Sequence, residues 1–384
     1  MVTPTCATAV VAVLLAPSAI AQRTDLPRYA VERPAALLAD ADVSWAHDIN
    51  ERGQVLGTYR ADAWKRMKSF VWADGRIVQA ILPQPGDLTI TPSVVPNVHR
   101  YVQGVAIHAD GVALGNALHR SFGELSVTWF TPTPSPRTFP ALHNAAFGLR
   151  HAWIGAVADT QPMLVVGSGV VLVSTPLADQ VRGFAIEVDV AGGPRPPARI
   201  IPSFGGARQR SSATGVNAAG IVVGWAEQDD GYARAFTWDF ATGQMTDLGT
   251  LGGPSSAAAA INDAGAVVGA ADLATGARHA FCARGGAMTD LGTLGGATSG
   301  ARGVNARGVV VGWSWTATGE VHACVWHRGR AFDLNRAIDP GSGWLLQYAE
   351  AINDAGQIVG WGRFGGATHA FVLTPFSPPA SRAR

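Results

Sequence analysis

The apolar positions of this chain come in short runs, each ended by a turn-forming group. Ala257-Ala258-Ala259-Ala260-Ile261 leads into Asn262-Asp263-Ala264-Gly265, a tight turn in which Asn bonds its own backbone and Gly takes the left-handed conformation of a hairpin bulge. Ala266-Val267-Val268-Gly269 follows, rich in the β-branched residues that suit a pleated, half-buried surface. A loop at Leu273-Ala274-Thr275-Gly276 precedes a third run, His279 to Ala283, and Arg284-Gly285-Gly286 turns the chain into a fourth at Ala287 to Leu291. Four short antiparallel strands are predicted.

The same unit recurs. Asn217, Asn262, Asn305 and Asn353 each open an Asn-x-x-Gly turn, at steps of 45, 43 and 48 residues, and Asn50 opens an earlier clear copy. Worn copies lie at 107–115 and 157–167. A second element, His-Ala-Phe or its relatives, occurs at His279, His322, His369 and Arg234, with weaker forms near Phe70, Trp129 and Phe184. Both elements count seven. Four strands every ~40 to 50 residues is the signature of a propeller blade, so the fold expected is an all-β single β-propeller. Seven four-stranded blades are expected, with six or eight as the alternatives.

The third element, Asp-Leu-Gly-Thr-Leu-Gly-Gly at 247–253 and again at 290–296, is still recognisable at 331–335, fades elsewhere and is absent after His369. Its missing copy has a counterpart at the other end of the chain, in Tyr29-Ala30-Val31-Glu32. An N-terminal strand completing the last blade would close the ring and leave no open sheet edge. Tyr29 to Glu32 is therefore predicted to pair with the strand around His369 to Leu373.

Ala7 to Leu15 is too short to cross a bilayer, and Ala19-Ile20-Ala21 offers the small-x-small pattern of a signal peptidase site. Residues 1–21 read as an export signal, 22–374 as the propeller, and 375–384 as a flexible tail. Its repeats are strong at 211–374 and degenerate at 77–197, where the connections hold Pro. No later apolar run is long enough for a transmembrane helix. With 47% hydrophobic residues, 15% charged and a net charge of +1, much of the chain must be buried. Nothing favours nucleic acid as a partner.

The three elements together resemble the HAF repeat family of predicted extracellular bacterial proteins. The likeness is fullest over 211–374, although Cys324 stands where Phe is usual and Arg234 where His is usual. The resemblance implies secretion and a β-propeller-like repeat. It implies no activity and no site residues.

Candidate chemistry is sparse. Elbow, zinc-pair, Cys-x-x-Cys and phosphate-loop motifs are absent, and no cofactor or metal is expected. The recurrent His279, His322 and His369 read as structural hydrogen-bonding groups, and Asn50, Asn217, Asn262, Asn305 and Asn353 as turn formers. Trp225, Trp313 and Trp361 each follow a Val-Val-Gly or Ile-Val-Gly and occupy matching places. They either wedge between blades or stack on sugar rings, and they are the candidate ligand-binding residues. Trp72, Trp129, Trp238 and Trp326 end third strands and read as core. Cys282 and Cys324 fall on opposite faces of neighbouring units, which argues against a disulfide. The function expected is an exported binding or adhesion protein, monomeric, secreted or periplasmic, with a glycan, polymer or surface protein as ligand. Alternatives are a propeller lyase or hydrolase with its site at the channel mouth, drawn from non-repeating groups such as His47, His108, Glu124 or His151, and a structural envelope component.

Overall fold

The computed structural model describes residues 26–37, 41–61, 66–81, 99–119, 125–130, 137–139, 149–171, 180–189, 193–205 and 210–376. The expected export signal, the rest of the tail and Glu124 lie outside them, as do the side chains of Trp129 and His151. Strands, numbered in chain order, fill most of the described chain. The first, β1, is Arg28–Glu32. The first repeat comprises β2 to β5 (Ala41–Ile49, Val55–Ala61, Arg66–Ala73, Arg76–Ile81), and the second β6 to β9 (His99–Ile107, Ala113–His119, Leu125–Phe130, Arg137–Phe139). The third is β10 to β13 (Leu149–Ala158, Met163–Val171, Gln180–Asp189, Gly193–Ile201). The fourth is β14 to β17 (Ser211–Val216, Ile221–Glu227, Ala233–Asp239, Met245–Asp247), and the fifth β18 to β21 (Gly252–Ile261, Val267–Leu273, Arg278–Arg284, Ala287–Gly292). The sixth is β22 to β25 (Gly295–Val304, Val310–Thr316, Val321–His327, Arg330–Asp333), and β26 to β28 (Trp344–Ile352, Ile358–Phe364, Ala367–Phe376) complete the chain.

The propeller has six sheets, which corrects the expected seven. Five sheets have four strands, while the first two repeats share one eight-stranded sheet. Their junction is a single parallel bridge, Met67 to Tyr101, between β4 and β6. β1 closes the last sheet, in the order β1-β28-β27-β26. Its register runs from Arg28–Phe376 to Glu32–Val372, further along β28 than the sequence places it. Pro375 and Phe376 therefore belong to the sheet, not to the tail. Tyr29 is buried among Leu334, Ala337, Ile338, Phe371 and Leu373, and its N–H donates to the Ala337 carbonyl at 3.0 Å. Pro194, Pro196 and Pro197 sit on the edge strand β13, where a missing N–H costs no ladder bond.

Within a repeat, the Gly of Val-Val-Gly faces the Phe of His-Ala-Phe, as in the register pairs Gly57–Phe70, Gly269–Phe281 and Gly360–Phe371. A Cβ on any of these glycines would come within 2.9 Å of the opposing ring, so the glycine makes room for a fully buried Phe. The two motifs recur together because each is cut to fit the other. The turn glycines at 53, 220, 265, 308 and 356 have φ between +72° and +84°, a region that Gly enters at little cost because it has no Cβ.

Neighbouring repeats are fastened by polar bonds that the sequence reading did not foresee. Each buried turn Asn accepts the N–H four residues on at 2.9–3.0 Å. Its side-chain amide then donates across to the backbone carbonyl of the equivalent residue in the next repeat. Asn217, Asn262, Asn305, Asn353 and Asn50 bond the carbonyls of Asn262, Asn305, Asn353, Asn50 and His108 in turn, at 2.8–3.2 Å. These asparagines are inter-repeat clasps as well as turn formers. Six residues before four of them stands a fully buried Ser: Ser44, Ser211, Ser256 and Ser299. Each hydroxyl accepts a third-strand N–H of the preceding repeat at 2.8–2.9 Å, from Ala370, Gly183, Ala235 and Ala280. The Asn clasp lapses at Ala158 in the third repeat, within the degenerate part of the chain.

Candidate site in the axial channel

The innermost strands, β2, β6, β10, β14, β18, β22 and β26, surround a cavity of about 630 Å³. Each of them skips one residue in its pairing with the next strand, at the same level of the ring. A bulge of this kind re-aims the extra side chain. The seven extra residues are His47, Val105, Gly155 and Thr214, then Ala259, Arg302 and Glu350, and all border the cavity. Simple alternation along a strand misplaces them, which is why the sequence pattern does not reveal the set.

One layer further along, the cross-strand pairs are complementary in size. Large residues on the innermost strand face small ones, as in Trp45–Thr58 and Trp153–Ser168, and small ones face Trp, as in Ser212–Trp225 and Gly300–Trp313. In the last repeat both are aromatic: Tyr348 and Trp361 stack at 4.1 Å with an interplanar angle of 18°. Trp313 lies 6.0 Å from Tyr348. The second repeat has Gln103 opposite Asn116 at this level, and the fifth has Ala257 opposite Ala270, the smallest pair, which leaves a gap in the aromatic layer. Arg278 borders that gap, with Nη2 donating to the Ala270 carbonyl and Nη1 paired with Asp272 at 2.6 Å.

Of the candidate tryptophans, Trp225 and Trp313 border the cavity and are half-buried. Trp361 does not border the cavity; it stacks on Tyr348, and its indole N–H donates to Glu350 Oε1 at 3.0 Å. The other Glu350 oxygen faces Arg302 Nε at 3.7 Å. The repeated histidines lie elsewhere, on third strands. His279 and His322 meet Asp290 and Asp333 of the adjacent fourth strands at 3.0 and 2.8 Å, joining the His-Ala-Phe and Asp-Leu-Gly elements. His369 has no such Asp, because its fourth strand is β1. In the second repeat His108 takes the place of the clasp asparagine, buried, and Asp110 N–H donates to its Nδ1. Trp72, Trp238 and Trp326 are core, and Cys282 and Cys324 are free thiols, the latter buried. Among the described residues, no three His, Cys, Asp or Glu side chains gather to hold a metal ion, and no helix is long and apolar enough to cross a membrane.

No family model matches this chain, and neither does any curated protein. Solved structures do. A puromycin-hydrolyzing peptidase of Mycobacterium tuberculosis is 14% identical with a TM-score of 0.52, the match covering 88% of this chain and 53% of the peptidase. Trypanosoma rangeli sialidase is 10% identical over 90% of this chain and 59% of its own, with a TM-score of 0.43. The fucose-specific lectin from Aleuria aurantia, also 10% identical, covers 90% and 99% with a TM-score of 0.34. What the peptidase match establishes is the propeller fold. The chain spans about half the length of that peptidase.

His47 and Asp48 open onto the cavity yet are ringed by protein. His47 Nε2 is 2.9 Å from Thr58 Oγ1. Asp48 accepts the N–H groups of Ile49 and, from the next repeat, Ile107, both at 2.9 Å. Burial pushes the Asp48 carboxyl up to about 7, against the pull of those two bonds, and pushes the His47 imidazole down to about 4. His47 thus contributes stability present above about pH 6.5 and lost as pH falls towards 4, while Asp48 contributes stability present below about pH 4 and lost as pH rises towards 7. The two slopes cancel over most of that window. His47→Gln is expected to unmask a stability that falls with rising pH by up to about 1.4 kcal/mol per unit, and Asp48→Asn one that rises by a similar amount. Urea unfolding between about pH 4 and pH 7 measures both, and flat profiles in both variants would contradict the assignment.

Proposed function

We propose that this protein is an exported propeller of the HAF repeat type that binds a carbohydrate in its axial channel. The observation that carries this reading is the pair Trp225 and Trp313, set half-buried on the wall of a cavity that also holds Arg278, Arg302, Glu350 and Thr214. Flat apolar faces beside a few directional polar groups are what a pyranose ring needs, since its two faces are apolar and its rim is hydroxylated. Trp225→Ala and Trp313→Ala are expected to weaken the best ligand of a glycan panel roughly 30-fold each, near the ~2 kcal/mol of a binding hot spot. Isothermal titration checks this. A panel without any binder, or a binder indifferent to both changes, sinks the reading.

A hydrolase is the second reading. Two carboxyl groups, Asp48 and Glu350, border the same cavity, and burial keeps Asp48 protonated up to about 7. Such a pair is suited to acid–base work on a bound glycan. Release of shorter products from the panel's best binder, abolished by Glu350→Gln, distinguishes this reading from binding alone.

A further inference from the structure

We infer that the gap in the aromatic layer is a subsite for an acidic sugar, a pyranose unit bearing a carboxylate. This rests on the carbohydrate reading above and adds to it the chemical class of the ligand. The gap lies at the fifth repeat, where Ala257, Ala258, Ala259 and Ala260 border the cavity with side chains too small to fill it. Trp225 of the fourth repeat and Trp313 of the sixth flank it. The small-residue run that precedes the turn at Asn262 is thus a floor, and the two indoles are the walls.

The charged groups around this gap include two guanidinium groups, each with a carboxylate on one side: Arg278 beside Asp272 and Arg302 beside Glu350. Arg302 stands on the bulge of β22, in the layer next to the gap, and its side chain is 49% exposed. Among the described residues its ionic neighbour is Glu350, at 3.7 Å, too far for a hydrogen bond. Glu350 is itself held by the Trp361 indole N–H, so it orients the guanidinium from one side and leaves its donor fork open on the other. Arg278, on the neighbouring repeat, spends one nitrogen on Asp272 and one on the Ala270 carbonyl. A guanidinium is a planar fork matched to the two oxygens of a carboxylate. A neutral sugar at this place would take water from Arg302 and return no anion. A carboxylate approaching from the fifth repeat restores that interaction, and Glu350 bars the opposite approach by like charge. Thr214, on the equivalent bulge of β14, already donates to the Ala258 carbonyl at 2.9 Å and helps to fix the floor.

The test is a calorimetric comparison of an oligogalacturonide, the neutral galactan oligomer of the same length and its sulfated counterpart, on the full-length protein and on Arg302→Gln and Trp313→Ala. The expected result is about tenfold or tighter binding of the oligogalacturonide than of the other two. Arg302→Gln should bring the carboxylated and neutral oligomers level, while Trp313→Ala weakens both together. Equal binding of the carboxylated and neutral oligomers by the unaltered protein, preference for the sulfated one, or a preference that survives Arg302→Gln would overturn the acidic-sugar subsite, yet leave carbohydrate binding standing if Trp313→Ala still weakens it. Failure of all three oligomers to bind removes the subsite. The glycan panel then decides the broader reading on its own. Thermal unfolding of Arg302→Gln within a degree or two of the unaltered protein shows that the exposed side chain was not holding the fold.

Discussion

Deleting residues 1–33 is expected to destabilise the propeller by roughly 5 kcal/mol or more, enough to consume much of the total stability of an ordinary domain. The reason is what β1 covers. Its five residues pair with Val372 to Phe376, and Tyr29 fills a site walled by Leu334, Ile338, Phe371 and Leu373. Without them that cluster meets water, and β28 presents unpaired N–H and C=O groups along a free edge. Tyr29→Ala isolates the packing part and is expected to cost about 3 kcal/mol, in the range of large-to-small core changes. Burial also pushes the Tyr29 phenol up to about 12, opposed weakly by Arg307. The phenol therefore contributes stability present below about pH 10, its unfolded value, and lost as the pH climbs towards 12. Urea unfolding of the three proteins measures these differences. A truncated chain as stable as the full one would contradict the role given to β1.

Asn262→Ala is expected to cost roughly 2–5 kcal/mol, far more than the loss of a turn former. Its Nδ2 donates to the Asn305 carbonyl at 2.8 Å and its Oδ1 accepts the Ala266 N–H at 2.9 Å, both in buried surroundings. Alanine leaves both backbone groups without a partner, at about 1–3 kcal/mol each. The neighbouring Asp263 makes a similar inter-repeat bond, from the Ala218 N–H at 2.9 Å, but in an exposed place. There water substitutes, so Asp263→Ala should cost under about 1 kcal/mol. Chemical denaturation of both variants provides the comparison. Equal small losses would reduce the asparagines to turn chemistry alone.

The sequence announces its repeat because the repeat's motifs answer local demands. A left-handed glycine closes the turn at Asn262, and a glycine across from Phe281 admits its ring, so both are written wherever the unit recurs. The closing strand at Tyr29 was also legible, from the absence of an Asp-Leu-Gly element after His369. What a pairing adds beyond one repeat was harder to see. The serine clasps had a signal, since Ser44, Ser211, Ser256 and Ser299 stand six residues before their asparagines, and so did the His–Asp pairs, both separated by eleven residues. The merging of the first two repeats had none, because one bridge between Met67 and Tyr101 depends on how two distant strands come to lie.

The candidate site was half legible. Trp225 and Trp313 stand out by their place after the recurrent Val-Val-Gly of the repeat, and both border the channel. Arg302, Glu350 and Thr214 did not stand out, because a bulge shifts each of them out of the alternation that a strand otherwise obeys. Nor did the aromatic layer as a whole, since Trp45 and Trp153 sit on first strands and Trp225 and Trp313 on second strands. Only the register shows that these are opposite members of equivalent pairs.

Everything placed around the channel depends on the chain's head meeting its tail. Arg28 and Phe376 are register partners at exposed ends of β1 and β28, and directly opposed residues of an antiparallel pair lie at a Cα separation that a disulfide can span. Arg28→Cys with Phe376→Cys, in a background with Cys6 and Cys282 changed to Ser, is the direct measurement, with peptide mapping after mild oxidation. The ring predicts an intrachain disulfide between positions 28 and 376 in nearly all molecules; a chain whose two new thiols stay free, or pair only between molecules, would contradict it.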